Sequence, residues 1–410
     1  MELDHTPPPS VLNDNCSASY MTPYATVIAM SGLYLLAIFY FCKKSKKMCQ
    51  PMSDSIYPYQ KRLTQLEREL FKDVRAHSVF FAELKNYLID EESIEVDDFQ
   101  IGQTADGFIF RGGVFPKTRN RFNAKVTTAV KISFPIVSKS ISLLEDALRL
   151  SKLDHPNLIR LLAVSQLSFT VFRPMIALEW LPGGTLADYF QFKVREKDDS
   201  ERSPIQLKDM LSILYQVSQA LKYIHSQLDE FGQELTHGRI FTRNVLVTEP
   251  DLRKCEVKLG DFGDAPMGLE YSTPIIAYMP PEILCCAERI PPHRPENDVW
   301  MFGVFIWECL TLGAQPHFRK SVEEIKKSFR LPDRGLSCPP TCPLDVWTLV
   351  SDCLSEPHMR PRFASTTNAS ITSRLSELHH IVSPALFLYA IPNQSVCTCI
   401  EHHCQSVIHY

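Results

Sequence analysis

The 410-residue sequence predicts an α+β fold preceded by one transmembrane helix. Three observations carry this expectation. Residues Tyr24 to Cys42 form an apolar run without a single charge. Thr128-Ala129-Val130-Lys131-Ile132 alternates as a strand does. Leu63, Leu66, Leu70, Val74, Phe81, Leu84 and Leu88 recur at helical steps, interrupted around His77, with a charged opposite face.

Composition excludes some classes of function. Hydrophobic residues make up 45% and charged residues 22%, the balance of a folded protein and not of a disordered one. The formal net charge of -4 lacks the basic excess of a nucleic-acid binder, so no nucleic-acid partner is expected. The 13 cysteines are scattered and read as buried or free thiols instead of a disulfide framework.

A helix over Tyr24–Cys42 reaches roughly 28 Å at about 1.5 Å per residue, close to the hydrocarbon thickness of a bilayer. Pro23 stands at its start, and Tyr24 and Tyr40 suit the two interfaces. Lys43, Lys44, Lys46 and Lys47 follow at once, whereas the stretch before has no Lys or Arg. The positive-inside rule then places the N-terminus outside and everything after Lys43 in the cytosol, most simply at the plasma membrane. A cleaved signal peptide fits poorly, because its positive charge precedes the apolar run. The outer segment holds Pro7 to Pro9 and a sequon at Asn15-Cys16-Ser17, and is too short to bury a core. Cys42 and Cys49 flank the lysines, where palmitoylation is one reading and ordinary thiols the plainer one. Pro51 and Tyr57-Pro58-Tyr59 read as linker. The periodic segment after it is either a dimerising or autoinhibitory helix, or a helix packed on the next domain. Arg195 to Arg202 is mixed in charge and reads as a solvated loop.

A series of motifs follows. They are Ile101-Gly102-Gln103-Thr104-Ala105-Asp106-Gly107 with Phe108 to Gly112, then the strand containing Lys131, then Leu144-Glu145-Asp146-Ala147 ahead of His155-Pro156-Asn157. Leu178-Glu179-Trp180-Leu181 leads into Pro182-Gly183-Gly184, and His237-Gly238-Arg239-Ile240 is followed by Asn244. Asp261-Phe262-Gly263, Tyr278-Met279-Pro280-Pro281-Glu282, Asp298 to Gly303 and Met359-Arg360-Pro361 complete the series. In this order and at these separations, residues from about Val96 to about Phe363 resemble the catalytic domain of protein kinases. The resemblance implies a bilobal fold, with a β-rich small lobe and a helical large lobe.

It also implies ATP and Mg2+ as cofactors. Gly102 and Gly107 match two glycines of the phosphate-covering loop, but Thr104 replaces the glycine between them and Asp106 brings a negative charge to that place. Ala129 and Lys131 match the strand that contacts the nucleotide. Asp146 matches the helix glutamate that pairs with the lysine and is one methylene shorter, while Glu145 is about 100° round the helix and would substitute only if the helix rotated. Leu178 falls at the gatekeeper position, and Glu179 and Leu181 lie in the hinge that binds adenine. Asn244 and Asp261 match the two metal ligands. The departure that matters most is Arg239, at the place of the aspartate that accepts the substrate proton. A guanidinium is not deprotonated in a protein and cannot be that base, and general-base help is worth roughly 10²–10⁴-fold in rate. Gly238 replaces the neighbouring arginine, a form similar to the pseudokinase domains of Janus kinases. It also removes the usual partner of an activation-loop phosphate, so control through Tyr271 or Thr273 is not expected. Glu282 and Arg360 are expected to pair, and Asp298 to brace the catalytic loop.

Arg243-Asn244 and the run from Trp307 to Gly313 look like tyrosine kinases, whereas Tyr278-Met279 looks more like serine/threonine or tyrosine-kinase-like enzymes. With the anchor, the likeness leans to receptor tyrosine kinases. The expected order is a short extracellular segment (1–22), the transmembrane helix (23–42), a basic juxtamembrane linker and helix (43–95), a kinase-like domain (96–380) and a tail (381–410). Cys397, Cys399, His402, His403 and Cys404 crowd that tail but match no zinc module. Three functions remain open: a membrane-anchored signalling pseudokinase that holds ATP and modulates other receptors or kinases, an active atypical kinase, and a nucleotide-free scaffold. A homodimer through the juxtamembrane or transmembrane helix is a further expectation.

Overall fold

The computed structural model describes residues 79–104, 106–115, 125–166, 174–195, 205–229, 231–249, 251–262, 273–286, 291–364 and 370–389. The segments named above for the membrane span, the lysine cluster, the sequon, Cys42 and Cys49, the mixed-charge loop beyond Arg195, Gly263, Tyr271 and the Cys/His tail lie outside the described residues. All described residues belong to one unit, Phe71–Tyr410.

Helix α1 spans Val79–Glu83 and stops, a 3-10 turn covers Lys85–Tyr87, and strand β1 takes Leu88–Ile89. The helical period predicted through Leu88 is therefore corrected. Leu84 is fully buried in the main core, and Leu88 pairs in parallel with Val164. An open sheet edge has captured the end of the amphipathic segment.

Strands β2 (Ile94–Gln103), β3 (Gly107–Val114), β4 (Val126–Ser133), β5 (Leu161–Ser165) and β6 (Met175–Glu179) complete a six-stranded sheet in the order β1-β5-β6-β4-β3-β2. Every other pairing in it is antiparallel. Between β4 and β5 runs helix α2 (Val137–Lys152). It buries Leu143, Leu144, Ala147 and Leu150, three- and four-residue steps that form one apolar face.

The remainder is mostly helical: α3 (Leu186–Arg195), the short strand β7 (Ile205–Gln206), and α4 (Leu207–His225). The hairpin β8 (Val245–Val247) and β9 (Val257–Leu259) is followed by the short helices α5 (Thr273–Ile276) and α6 (Pro281–Leu284). Then come α7 (Pro295–Leu310), α8 (Val322–Ser328), α9 (Leu344–Cys353), α10 (Ile371–Ile381) and strand β10 (Phe387–Leu388), which pairs with β7.

Helix α7 is buried all round from Asn297 to Leu310, as befits an apolar helix at the centre of a lobe. Gly303 lets α9 approach it: a Cβ there would lie 2.7 Å from the Cβ of Cys353. Glu282 and Arg360 form the expected pair, with Nη1 to Oε1 at 2.5 Å and Nη2 to Oε2 at 3.0 Å. Cys255, Cys309 and Cys353 are buried thiols. Among the described residues no helix is long and apolar enough to cross a membrane.

Candidate nucleotide cleft

The cleft is built from β2, β3, β4 and α2 on the small-lobe side, and from the Gly238–Asn244 loop with Asp261 on the large-lobe side. The large-lobe loop is held at both ends by α7. The Asp298 carboxylate accepts from the backbone N–H of His237 at 2.7 Å and of Gly238 at 2.8 Å, and it lies within hydrogen-bond reach of His225 Nε2 at 2.9 Å and His293 Nε2 at 2.8 Å. These partners hold its pKa far below the usual carboxylate range despite burial. At the other end Glu308 accepts from the Thr242 N–H at 3.0 Å and from its hydroxyl at 2.6 Å. Gly238 has φ +78°, a left-handed value that glycine adopts without strain.

Lys131 projects from β4 into this space and is 3% exposed. Its Nζ donates to Asp261 Oδ1 at 2.6 Å and to Asp146 Oδ2 at 3.5 Å. Asp146 is buried and Glu145 exposed, so the aspartate is the residue that α2 turns inward. The longer distance fits its shorter side chain. With Lys131 drawn to Asp261, burial dominates and pushes the Asp146 pKa up to about 7. Asp261, held by both Lys131 and Arg239 against the penalty of burial, is lowered to about 2.

Arg239 is 8% exposed and crosses the cleft. Its Nη1 donates to Asp106 Oδ2 at 3.0 Å and to Asp261 Oδ2 at 3.3 Å. Asp106 is 1% exposed, and Lys139 of α2 lies 3.6 Å from its Oδ1. The loop is shaped to deliver that carboxylate. The Thr104 N–H donates to the Gly107 carbonyl at 2.9 Å, the Asp106 N–H to the Thr104 hydroxyl at 3.3 Å, and the Phe134 N–H to the Asp106 carbonyl at 2.9 Å. Thr104, at the position where the family has a glycine, thus helps to make the turn.

Three cations (Lys131, Lys139, Arg239) meet three carboxylates (Asp106, Asp146, Asp261) here. With every group ionised the cluster sums to zero, and protonation of Asp146 would make it +1. The three carboxylates each place an oxygen within 4.8 Å of the others, spacing that a metal ion would suit. The cations already seated among them oppose that use. Asp261 gives one oxygen to Lys131 and the other to Arg239, and a divalent ion would have to displace or tolerate both. In this arrangement the residues do not fit a magnesium–nucleotide complex.

The remaining predicted residues fall around the cluster. Asn244 donates to the Arg239 carbonyl at 3.0 Å. Packing alone requires glycine at 107: a Cβ there would stand 2.1 Å from the Ile132 carbonyl oxygen. At Gly102 a Cβ would make only ordinary contacts of 3.9 Å with Ile109. Ala129 lies on β4 opposite Leu178, and Leu181 is buried just after β6. The Glu179 carboxylate is engaged by Lys258 at 2.9 Å and the Arg160 N–H at 2.7 Å. The sequence reading missed Lys139. Its position in the first turn of the helix after the Lys131 strand was the available signal.

The profile described as "Protein tyrosine and serine/threonine kinase" matches residues 97–369, and the chain belongs to that family. Within it, the chain is 97% identical to Protein nipi-4 of Caenorhabditis elegans, over 100% of both chains. It is 31% identical to the tyrosine-protein kinase transforming protein ros of UR2 avian sarcoma virus, a match covering 60% of this chain and 58% of the viral protein. It is 30% identical to the epidermal growth factor receptor of Apis mellifera, covering 64% of this chain and 19% of the receptor. The relatives agree with the receptor-tyrosine-kinase likeness of the motifs.

Proposed function

We propose that this chain is a single-pass membrane protein whose cytoplasmic kinase domain is a pseudokinase, signalling through its conformation and its contacts with other receptors or kinases. The observation that carries this is Arg239. It stands at the position of the catalytic base, is buried, and spends its guanidinium on Asp106 and Asp261. Its charge is held more firmly by those carboxylates than in water, which moves it further from any role as a proton acceptor. Anchoring rests on the charge-free run Tyr24–Cys42 and the lysines after it.

Phosphotransfer from ATP by the purified full chain with magnesium tests the reading, with Lys131→Met as control. No label above the control is expected. Incorporation that disappears in Lys131→Met would overturn the pseudokinase. The nucleotide-free variant of this reading gains support from Asp106, because a carboxylate occupies the place where phosphate charge would be received.

A further inference from the structure

We propose that Asp106 is a built-in competitor for the polyphosphate of a nucleotide, and that with Arg239 it forms a latch closing the cleft between the lobes. This deepens the pseudokinase reading and rests on it, since it takes Arg239 as a cation and not as part of a catalytic apparatus.

The first argument is geometric. Asp106 comes from the β2–β3 loop of the small lobe and Arg239 from the catalytic loop of the large lobe, 133 positions apart in sequence. Both side chains are buried, and the turn built by Thr104 and Gly107 aims the carboxylate inward. Lys139 supports it from the side. A hydrogen bond between ionised groups, shielded from water, is the stronger kind.

The second argument is charge. Removing the Asp106 carboxylate leaves Lys131, Lys139 and Arg239 facing Asp146 and Asp261, so the cluster moves from neutral to +1. Lys139 would lose its Asp106 partner and Arg239 would keep only Asp261, leaving both cations beside the space the Asp106 carboxylate had filled. That is an anion site suited to a nucleoside polyphosphate. Arg239 would supply there the positive charge that a metal supplies elsewhere, so the opened cleft takes the nucleotide without magnesium. With the latch shut, the same ligand has to break the buried Asp106–Arg239 pair and the partly exposed Asp106–Lys139 pair before it gains any.

The test is thermal shift and equilibrium binding of the full chain with ATP, in EDTA and in magnesium. The native chain is expected to show no shift at millimolar ATP. Asp106→Asn, which keeps the shape and removes the charge, is expected to bind ATP at least tenfold more tightly, and to do so in EDTA. Asp106→Glu keeps the charge and should remain as closed as the native chain, which separates latch opening from loosening of the fold. Equal binding by the native chain and Asp106→Asn, or binding by Asp106→Asn only with magnesium, would overturn the proposal. Phosphotransfer is read in the same samples. Its appearance would count against the pseudokinase reading and leave the latch standing if the binding pattern holds.

Discussion

Arg239 reaches across the cleft to Asp106 at 3.0 Å and touches Asp261 at 3.3 Å with the same nitrogen. A residue that cannot take a proton therefore ties the loop that would cover phosphate to the aspartate that would hold metal. Two departures that weaken nucleotide chemistry when viewed singly turn out to be partners, each neutralising the other.

The simplest repair should fail. Arg239→Asp restores the base but leaves two cations facing four carboxylates, a change from zero to -2 within one buried cluster. Breaking a buried pair in this way costs roughly 3–5 kcal/mol. The variant is expected to melt well below the native chain and to transfer no phosphate. Adding Asp106→Gly should return part of the lost stability, and a double-mutant cycle by denaturant unfolding reads that coupling.

Arg360→Lys separates structural from functional roles in the large lobe. The guanidinium binds Glu282 through two nitrogens, donates to the carbonyls of Ser355 and Glu296 at 2.9 Å each, and lies 5.0 Å from the Trp300 ring centre. An ammonium keeps the charge and loses the fork. A stability loss of roughly 2–3 kcal/mol is expected from the broken charged hydrogen bonds. Unfolding in urea measures it, and unchanged stability would show that a point charge suffices there.

Acid should weaken the fold partly through His317. Burial and nearby Lys320 lower its pKa to about 4 from the ordinary 6.5. The unfolded chain therefore takes up the proton first, and stability present above pH 6.5 is lost as pH falls towards 4. The loss is at most roughly 3 kcal/mol. Asp146 runs the other way: its raised pKa means the folded state takes a proton below about 7, which adds stability as pH falls. Comparing the native chain with His317→Asn cancels that term. Asparagine tolerates the left-handed φ of +52° at this position. The variant should lose less stability between pH 6.5 and 4, measured by urea midpoints at several pH values.

Much of this fold was legible because motifs keep their order and spacing even where their chemistry has changed. Lys131, Asp261 and the Glu282–Arg360 pair could be placed from sequence on that ground. Asp146 over Glu145 followed from the family's spacing ahead of His155, and the helical period set Glu145 about 100° away from it. The latch was not legible. Asp106 read as a charge beside absent phosphates, since the direction of a loop side chain depends on a turn closed through Thr104 and Gly107 and on a cation supplied from the other lobe. Lys139 escaped notice because a lysine early in a helix usually faces solvent. Leu88 misled in the opposite sense: its helical period was real, and pairing with β5 overrode it.

Asp298 offers a last test, of what keeps the catalytic loop ordered. Its carboxylate gathers the His237 and Gly238 amides together with two imidazoles, all within 2.9 Å. Asp298→Asn is nearly the same shape, but one oxygen becomes a donor that faces other donors, and the charge is gone. A loss of roughly 2–4 kcal/mol follows from several charged hydrogen bonds weakening together. The effect should also be local. Amide exchange at His237 and Gly238 should quicken more than at the core of α4, since those amides lose their acceptor while the helix keeps its own. Uniform acceleration across the domain would show that Asp298 supports the whole large lobe. Unchanged exchange at the two amides would mean that the backbone at Gly238 holds its left-handed turn without the carboxylate.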